Sequence, residues 1–200
     1  MHPVIYREFE RICAAQKIRG RVLEVGAVPN ERSLLCMASL AGASEKVGIN
    51  LDGPHTYRDF RILKGNANQM DCFADQSFDA VLCNATLEHD RFFWKTVAEI
   101  RRVTRPGGLI VIGVPGYVRG CLDRVQGRLR RLPLLRRLAG HRFFNGLFAA
   151  TLTYQVHNSP GDYYRFSPQA VAEIFFQGCT DVSVRSVMLP PRLIGCGIRL

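Results

Sequence analysis

The feature that most constrains the fold of this sequence is a regular alternation of short apolar runs with helical patterns between residues 21 and 113. Each run is short enough to be a buried strand and ends at a glycine or a polar cluster. Five runs are predicted to be strands: Arg21–Val25, Lys46–Leu51, Phe60–Leu63, Phe78–Cys83 and Leu109–Gly113. Because strands that alternate with helices form parallel sheets covered on both faces, the pattern predicts a doubly wound α/β domain.

The segments around these strands complete the prediction. Helices are expected over Pro3–Lys17 and Ser33–Leu40, and Asp90 is placed to cap a third helix that ends near Thr104. A late helix begins at Ser167-Pro168 and stops at Gly178, and it precedes two strands, Thr180–Val187 and Leu193–Arg199. The predicted sheet therefore has seven strands and is mostly parallel, with the last two as an antiparallel edge pair.

Composition excludes several classes of protein. The 200 residues are 47% apolar and 22% charged, which is typical of a globular domain and not of a disordered or fibrous chain. The longest apolar stretch, Gly108–Val118, is interrupted by glycine and proline and is shorter than the roughly 20 residues of a membrane span. Charges in the first residues argue against an export signal, and the seven scattered cysteines fit reduced thiols, so a cytoplasmic location is expected.

The positive charge is concentrated in one segment. Residues 117–159 contain eight arginines and one acid, a net charge of +7, which leaves +3 of the total of +10 for the rest of the chain. Leu122, Val125, Leu129 and Leu132 recur there at helical spacing, with arginines between them. The pattern predicts a basic helical insertion after the fifth strand.

Five short motifs follow one another along the α/β region, and each places glycine or polar residues at a strand end. A glycine there allows a ligand to approach the backbone, and a polar side chain can hydrogen-bond a ribose hydroxyl or a base. The motifs are Val22–Gly26, Gly48–Gly53, Gly65–Asn68, Ser77–Asn84 with Leu87-Glu88-His89 beyond it, and Glu99–Gly108 with its Pro-Gly-Gly turn.

Together these motifs resemble the class I S-adenosylmethionine-dependent methyltransferases, in particular the type 11 branch with LEH and PGG motifs. The resemblance covers Arg21–Pro115 and implies a Rossmann-like methyltransferase fold, S-adenosylmethionine as the cofactor and methyl transfer as the activity. Asp162–Pro168 (DYYRFSP) is similar to the start of the late helix in relatives associated with glycans and other surface polymers.

The resemblance also implies roles for individual residues. The expected cofactor-binding residues are Glu24, Gly26, Asn50, Asp52, Asn66, Ala67 and Asn84. His89 and His157 are the candidate bases for an acceptor that must lose a proton, and Asp162, Tyr164 and Arg165 are the expected acceptor-binding residues. No metal site is expected, because methyl transfer from a sulfonium needs mainly alignment of donor and acceptor.

Two departures from the family pattern bear on cofactor affinity. Val28 and Asn30 stand where the family's first loop has its later glycines, and Asn50 stands where it has the ribose-binding acid. Asp52 lies two residues beyond Asn50 and is expected to point the same way if the strand continues. A non-catalytic binding module with this fold is therefore an alternative. A nucleotide-dependent oxidoreductase is disfavoured, because the GxGxxG pattern finds Val28 and Glu31 where it needs glycines.

The chain is accordingly divided into four parts of one domain. Residues 1–19 form an N-terminal helix, 20–116 the cofactor-binding core, 117–159 the basic insertion, and 160–200 the last helix and strands. The insertion is expected to be a lid for an anionic small-molecule or glycan acceptor, phosphorylated or lipid-linked, and peripheral contact with a membrane surface is compatible with this. Nucleic acid is the less favoured partner, because aromatic residues are not interleaved with the arginines.

Overall fold

A single sheet of eight strands organises the described part of the chain. The computed structural model describes residues 1–117, 153, 155 and 161–200. The strands lie in the order β3-β4-β2-β1-β5-β6-β8-β7. Their bounds are β1 Arg21–Val25, β2 Glu45–Asn50, β3 His55–Tyr57, β4 Phe60–Lys64, β5 Phe78–Asn84, β6 Thr104–Pro115, β7 Cys179–Ser186 and β8 Arg192–Arg199.

The central strands are parallel and the outer ones are antiparallel. β1 pairs in parallel with β2 and β5, β2 with β4, and β5 with β6, whereas β8 is antiparallel to both β6 and β7. The predicted doubly wound, mostly parallel sheet with an antiparallel edge pair is confirmed. The predicted number of seven strands is one too few, because His55–Tyr57 forms an antiparallel edge strand on β4. Three polar and aromatic residues are too short a run to show an alternating pattern.

In the described ranges, three helices pack on the sheet. None of them is long and apolar enough to span a membrane. They are α1 Pro3–Gln16, α2 Phe93–Val103 and α3 Pro168–Ala170, which continues as a π-helix over Val171–Phe175. The predicted helix over Ser33–Leu40 is wrong. Two 3-10 turns, Leu34–Cys36 and Ala38–Leu40, occupy that stretch, and Met37 between them has extended backbone.

Buried side chains of alternating residues fill a core on each face of the sheet. On β5, Val81 and Cys83 pack into one core, with residues of α2 and α3. Ala80 and Leu82 pack into the other core, with α1 and the 3-10 turns. Because both faces of a central strand are buried, Ala80–Cys83 of β5 are apolar at consecutive positions rather than at alternate ones.

Several charged residues of the sequence motifs hold loops against the sheet. Glu99 Oε2 accepts a hydrogen bond from the amide of Met70 at 2.6 Å, and Arg102, beside it on α2, donates to the Met70 carbonyl oxygen at 3.0 Å. The Asp79 carboxylate accepts from the Arg21 amide at 2.7 Å and pairs with Arg105 at 2.6 Å. These charges tie loops to the sheet at positions away from the carboxyl ends of β1 and β2.

Residues before and after the segment that follows β6 are bridged to one another at the carboxyl end of β6. Tyr117 forms an antiparallel bridge with Thr153, whose hydroxyl donates to the Gly116 carbonyl oxygen at 3.1 Å, and Gly116 forms a parallel bridge with Phe166. Apart from residues 117, 153 and 155, the predicted basic helical insertion lies outside the described residues, and so does His157.

Candidate functional site

A cavity of about 260 Å³ lies where β1, β2, β4 and β5 end. In open α/β sheets, ligands bind outside the carboxyl ends of the strands, at positions such as this one. The cavity is lined by Gly26, Ile49, Asn50, Leu51, Gly65, Asn66, Ala67, Asn68, Thr86, His89, Asp90, Arg91 and Tyr163. Four of the seven predicted cofactor-binding residues and one of the two candidate bases are therefore brought together.

Gly26 forms the backbone floor of this cavity. Its φ of +80° is one that side chains disfavour, and a Cβ built on it would lie 2.2 Å from Oγ1 of Thr86. The Gly26 amide donates to the Ile49 carbonyl oxygen at 2.8 Å, and Thr86 Oγ1 donates to the Val25 carbonyl oxygen at 3.3 Å. Only glycine fits this turn, so the backbone itself faces the cavity.

The Glu24 carboxylate is buried and is not part of the cavity lining. It accepts hydrogen bonds from the Ser33 hydroxyl, from the Leu34 amide at 3.1 Å and from the Leu35 amide at 3.4 Å. Burial raises the pKa of Glu24 to about 7, although these hydrogen bonds act in the opposite direction. The amides of Leu34 and Leu35, in the first 3-10 turn after β1, are thus already bound to a carboxylate of the chain itself.

Asn50 lines the cavity at the end of β2, and both ends of its side-chain amide contact backbone. Nδ2 donates to the Ala27 carbonyl oxygen at 2.7 Å, and Oδ1 accepts from the Asp52 amide at 3.3 Å. Asp52 does not line the cavity, and its side chain is 92% exposed beside His55. β2 ends at Asn50, so the strand alternation that would have aimed Asp52 at the ligand does not extend to it.

The wall beyond β4 is built from asparagines and one carboxylate. Asn66 and Ala67 line the cavity as predicted, and Asn66 Oδ1 accepts from the Asn68 amide at 2.9 Å. Asn68 Nδ2 donates to Asp90 Oδ2 at 2.6 Å and to Thr96 Oγ1 at 2.8 Å. The Asp90 carboxylate also accepts from the Phe92 amide. The predicted capping role of Asp90 is nevertheless wrong, because Phe92 is the N-cap of α2 and no side chain caps the helix.

Asn84, at the end of β5, lies beside the cavity and not in its lining. Its Oδ1 is buried and has no hydrogen-bond partner in the described part of the chain. A Cβ built on Gly113 would lie 2.4 Å from this oxygen and 3.0 Å from the Phe9 ring. An acceptor atom without a donor is thus held between α1 and the sheet, on the side of the cavity predicted for the methionine end of the cofactor.

Two loops that are far apart in sequence join to form the outer wall. His89 Nδ1 is hydrogen-bonded to the Gly161 carbonyl oxygen, and the Tyr163 amide donates to the Glu88 carbonyl oxygen at 2.8 Å. The Tyr164 hydroxyl donates to the Arg91 carbonyl oxygen at 2.9 Å. The LEH motif and the DYYRF segment are therefore one structural unit, and His89 and Tyr163 are the residues by which that unit lines the cavity.

The residues predicted to bind the acceptor have other partners. Asp162, whose side chain is fully buried, forms a two-pronged ion pair with Arg165, which also donates to the Gln155 carbonyl oxygen at 3.2 Å. The Tyr164 ring packs against Phe93, with ring centres 4.9 Å apart. None of the three lines the cavity. Their role in acceptor binding stays a prediction, whereas the contacts seen here hold the segment in place.

Eight lining residues were not among the predicted site residues: Ile49, Leu51, Gly65, Asn68, Thr86, Asp90, Arg91 and Tyr163. Each lies within two residues of a motif position that was singled out, so proximity to a motif was the available signal. Glu88, in the same loop, is buried and pairs with Arg192 at 3.1 Å, at the point where β8 begins. In the described ranges, His, Cys, Asp and Glu side chains form no group of three that could hold a metal ion.

Comparison with known proteins gives a family match over part of the chain and a fold match over nearly all of it. Residues 32–112 match the model of the type 11 family described as a methyltransferase domain. The demethylmenaquinone methyltransferase of Renibacterium salmoninarum is 33% identical over 102 residues, which cover 44% of this chain and 43% of that protein. The chain thus matches less than half the length of this curated relative. The match over residues 32–112 supports the type 11 branch predicted from the motifs.

Solved structures of methyltransferases share the whole architecture. The Burkholderia thailandensis 1,6-didemethyltoxoflavin-N1-methyltransferase, with 1,6-didemethyltoxoflavin and S-adenosylhomocysteine bound, superposes with a TM-score of 0.64 at 17% identity, over 97% of this chain and 77% of that one. A Haemonchus contortus phosphoethanolamine N-methyltransferase 2, with phosphomonomethylethanolamine and S-adenosylhomocysteine, has a TM-score of 0.60 at 13% identity, over 98% and 52%. The predicted Rossmann-like methyltransferase fold is confirmed.

Proposed function

We propose that this chain, with its class I methyltransferase fold of the type 11 branch, binds S-adenosylmethionine in the cavity and transfers the methyl group to a small-molecule or glycan acceptor. The observation that carries the proposal is the backbone floor at Gly26, at the carboxyl ends of β1 and β2, where a Cβ would collide with Thr86. A site lined by main chain suits a large ligand that must lie close to the sheet.

The cavity lining has the character that an adenosine ligand requires. Ile49, Leu51 and Ala67 offer apolar surface to a planar base, while Asn50 and Asn66 offer amide groups at its edges. Each of these asparagines makes backbone hydrogen bonds of its own, which hold its amide in a defined orientation. An amide can donate to and accept from a ribose diol, without the charge-assisted strength of a carboxylate.

Asn84, which lies beside the cavity and outside its lining, supplies a hydrogen-bond acceptor. Asn84 Oδ1 is buried and has no donor among the described residues, and burying such an atom is costly unless a ligand or water satisfies it. The methionine end of S-adenosylmethionine carries a sulfonium, an ammonium and a carboxylate, so its net charge is +1. A partial negative charge at Asn84 fits that end of the cofactor better than a phosphate, which argues for this cofactor over a dinucleotide.

His89 is the residue we propose for proton transfer. S-adenosylmethionine, when bound, supplies an electrophilic methyl carbon, so the chain has to align the acceptor and, for a hydroxyl or ammonium acceptor, remove a proton. Because the Gly161 carbonyl oxygen can only accept, His89 Nδ1 carries the hydrogen of that bond. In the neutral ring the basic nitrogen is then Nε2, and the ring lines the cavity. His157 stays a second candidate.

The nature of the acceptor is inferred from charge and from the relatives. Residues 117–159 carry a net +7 and are joined to the sheet through Gly116 and Tyr117, at the carboxyl end of β6. An arginine-rich segment that joins the sheet at the carboxyl end of β6 suits an acceptor with phosphate or other anionic groups. Relatives with small acceptors, among them a phosphorylated amine, support this class. A lipid-linked acceptor would bring the protein to a membrane surface.

Calorimetric titration with S-adenosylhomocysteine tests cofactor binding. We expect a dissociation constant on the order of micromolar for the wild-type chain, and about tenfold weaker binding for Asn50→Ala, since a lost hydrogen bond is worth roughly 1 kcal/mol. Asp52→Ala is the matched control, because this neighbouring polar side chain is 92% exposed and outside the cavity. No detectable binding to the wild-type chain would favour the non-catalytic binding module instead.

Turnover tests the proton-transfer role. With an acceptor found by screening anionic glycans and phosphorylated small molecules against labelled S-adenosylmethionine, His89→Gln should lower kcat by roughly a hundredfold. The same variant should leave the dissociation constant for S-adenosylhomocysteine within about threefold of wild type. If kcat of His89→Gln equals that of the wild-type chain at every pH, His89 is excluded as the base. His157 is then tested in the same way.

A further inference from the structure

A group of exposed aromatic and cationic side chains surrounds the start of α2, and we name it the aromatic–cationic patch. It consists of Arg91, Phe92, Trp94, Lys95 and Tyr163. The three aromatic residues are 44%, 49% and 49% exposed, in the order Phe92, Trp94 and Tyr163. Scattered exposed aromatic residues are ordinary, but three of them side by side with two cations need an explanation.

The members of the patch contact one another. The rings of Phe92 and Trp94 meet edge to face, with centres 5.7 Å apart, and Lys95 Nζ lies 5.4 Å from the centre of the Phe92 ring. The Arg91 guanidinium lies 5.5 Å from the centre of the Tyr163 ring. Each cation thus lies over an aromatic ring, and the two contacting groups are joined through the neighbouring residues Arg91 and Phe92.

The local charge of the patch is positive. The first turn of α2 contains no acidic residue, and the amino end of a helix adds a partial positive charge of its own. Two carboxylates are next to patch members in sequence. Asp90, beside Arg91, accepts hydrogen bonds from Asn68, Phe92 and Thr96, and Asp162, beside Tyr163, pairs with Arg165. Arg91 and Lys95 therefore project their charge without a facing acid among the described ion pairs.

We propose that the aromatic–cationic patch docks the protein on the surface of an anionic lipid bilayer. Tryptophan and tyrosine are the side chains that settle at the headgroup level, where one end of the ring is apolar and the other is wet. Arginine and lysine beside them are attracted to anionic headgroups. A neutral protein partner would use the aromatic residues but not the surplus of positive charge.

The position of the patch links docking to the cavity. Arg91 and Tyr163 belong to the patch and also line the cavity, so a docked bilayer lies beside the cavity opening. In this arrangement an acceptor with a lipid tail reaches the cavity without leaving the membrane. This last step rests on the proposed methyl transfer, whereas docking itself requires neither cofactor nor acceptor.

Trp94 is the only tryptophan in the chain, which makes the intrinsic fluorescence a direct report on the patch. The full-length protein is titrated with vesicles of phosphatidylglycerol and phosphatidylcholine, and with vesicles of phosphatidylcholine alone. We expect a blue shift of the Trp94 emission and protection from acrylamide quenching with the anionic vesicles only. Co-sedimentation with the same vesicles measures the amount bound.

Charge variants that keep Trp94 test the contribution of the two cations. Arg91→Gln/Lys95→Gln should weaken binding to the anionic vesicles by about tenfold or more, since each basic residue near such a surface contributes on the order of 1 kcal/mol. Arg58→Gln/Arg61→Gln is the control, because it removes the same charge from exposed residues at the β3–β4 hairpin. The control should bind nearly as well as the wild-type chain.

Two results would overturn the docking proposal. If the protein sediments with anionic vesicles while Trp94 emission stays unchanged, the membrane contact is made by another surface, such as the arginine-rich residues 117–159. If neither sedimentation nor a blue shift occurs at low salt, the patch does not bind lipid and fits a protein partner instead. Both results leave S-adenosylhomocysteine binding unaffected, so they are distinguishable from failure of the proposed function.

Discussion

The side-chain amide of Asn50 donates a hydrogen bond through Nδ2 to the carbonyl oxygen of Ala27, at 2.7 Å. This contact ties the end of β2 to the loop that follows β1, at the floor of the cavity. A carboxylate cannot make it, because an ionised acid has only acceptors to offer. The departure from the family acid at this position is therefore accompanied by a backbone contact that only the amide can support.

Asn50→Asp, which restores the acid typical of the family, should destabilise this protein. Two acceptor oxygens would face each other across the former hydrogen bond, at a cost of about 1–3 kcal/mol in the free energy of unfolding. We also expect no gain in affinity for S-adenosylhomocysteine. Urea unfolding and calorimetry measure the two effects. Tighter binding with unchanged stability would show that the Ala27 contact is dispensable and that the acid is simply missing.

Gly26→Ala should impair both stability and cofactor binding. The new Cβ would require a φ of +80° and would lie 2.2 Å from Thr86 Oγ1, so we expect a loss of at least about 2 kcal/mol. Adding Thr86→Ala removes the colliding oxygen but not the backbone strain, and the double variant should recover part of the loss. Urea unfolding of the two single variants and the double variant measures the coupling. Additive losses would mean that the collision with Thr86 does not matter.

Glu24 should make stability depend on pH. Its pKa is raised from 4.5 to about 7 by burial, so between these values the folded protein holds a proton that the unfolded chain has released. The free energy of unfolding therefore falls as pH rises from about 4.5 to about 7, by roughly 3 kcal/mol, and this contribution stays constant above that range.

Glu24→Gln is the variant that isolates this effect, since its amide does not titrate. Urea unfolding at several values between pH 5 and pH 8 should show the wild-type chain losing stability relative to Glu24→Gln as pH rises. Because the two proteins share all other titrating groups, the difference between their free energies of unfolding reports on Glu24 alone. Parallel profiles for the two proteins would mean that Glu24 is already ionised at pH 5 in the folded state.

Arg165→Ala should destabilise the protein rather than weaken acceptor binding alone. It removes the guanidinium that pairs with the fully buried carboxylate of Asp162, and breaking a buried pair costs about 3–5 kcal/mol. Asp162→Asn/Arg165→Met, which removes both charges, should be less destabilised than Arg165→Ala. Thermal and urea unfolding compare the variants. A raised KM for the acceptor with unchanged stability would instead support the acceptor-binding role predicted from the sequence.

The amino-acid sequence alone was sufficient to predict the architecture and the position of the cavity at the strand ends. Apolar runs such as Phe78–Cys83, alternating with helices, leave few arrangements other than a parallel sheet, because both faces of each strand have to be covered. Gly26, Asn50, Asn66 and Ala67 follow strand ends, and parallel strands end at one edge, so their assembly around one cavity follows from strand order alone.

The tertiary structure decided which partner each polar side chain takes. Glu24 binds Ser33 and the amides after it, Asp52 lies outside the cavity because β2 ends at Asn50, and Asp162 pairs with Arg165. In the same way, His89 meets Gly161 across 72 residues of sequence. A charged or polar side chain can satisfy its hydrogen bonds with many groups, and which group is within about 3 Å is set by how distant segments pack. The periodicity of apolar residues along the sequence carries no information about the distance between such groups.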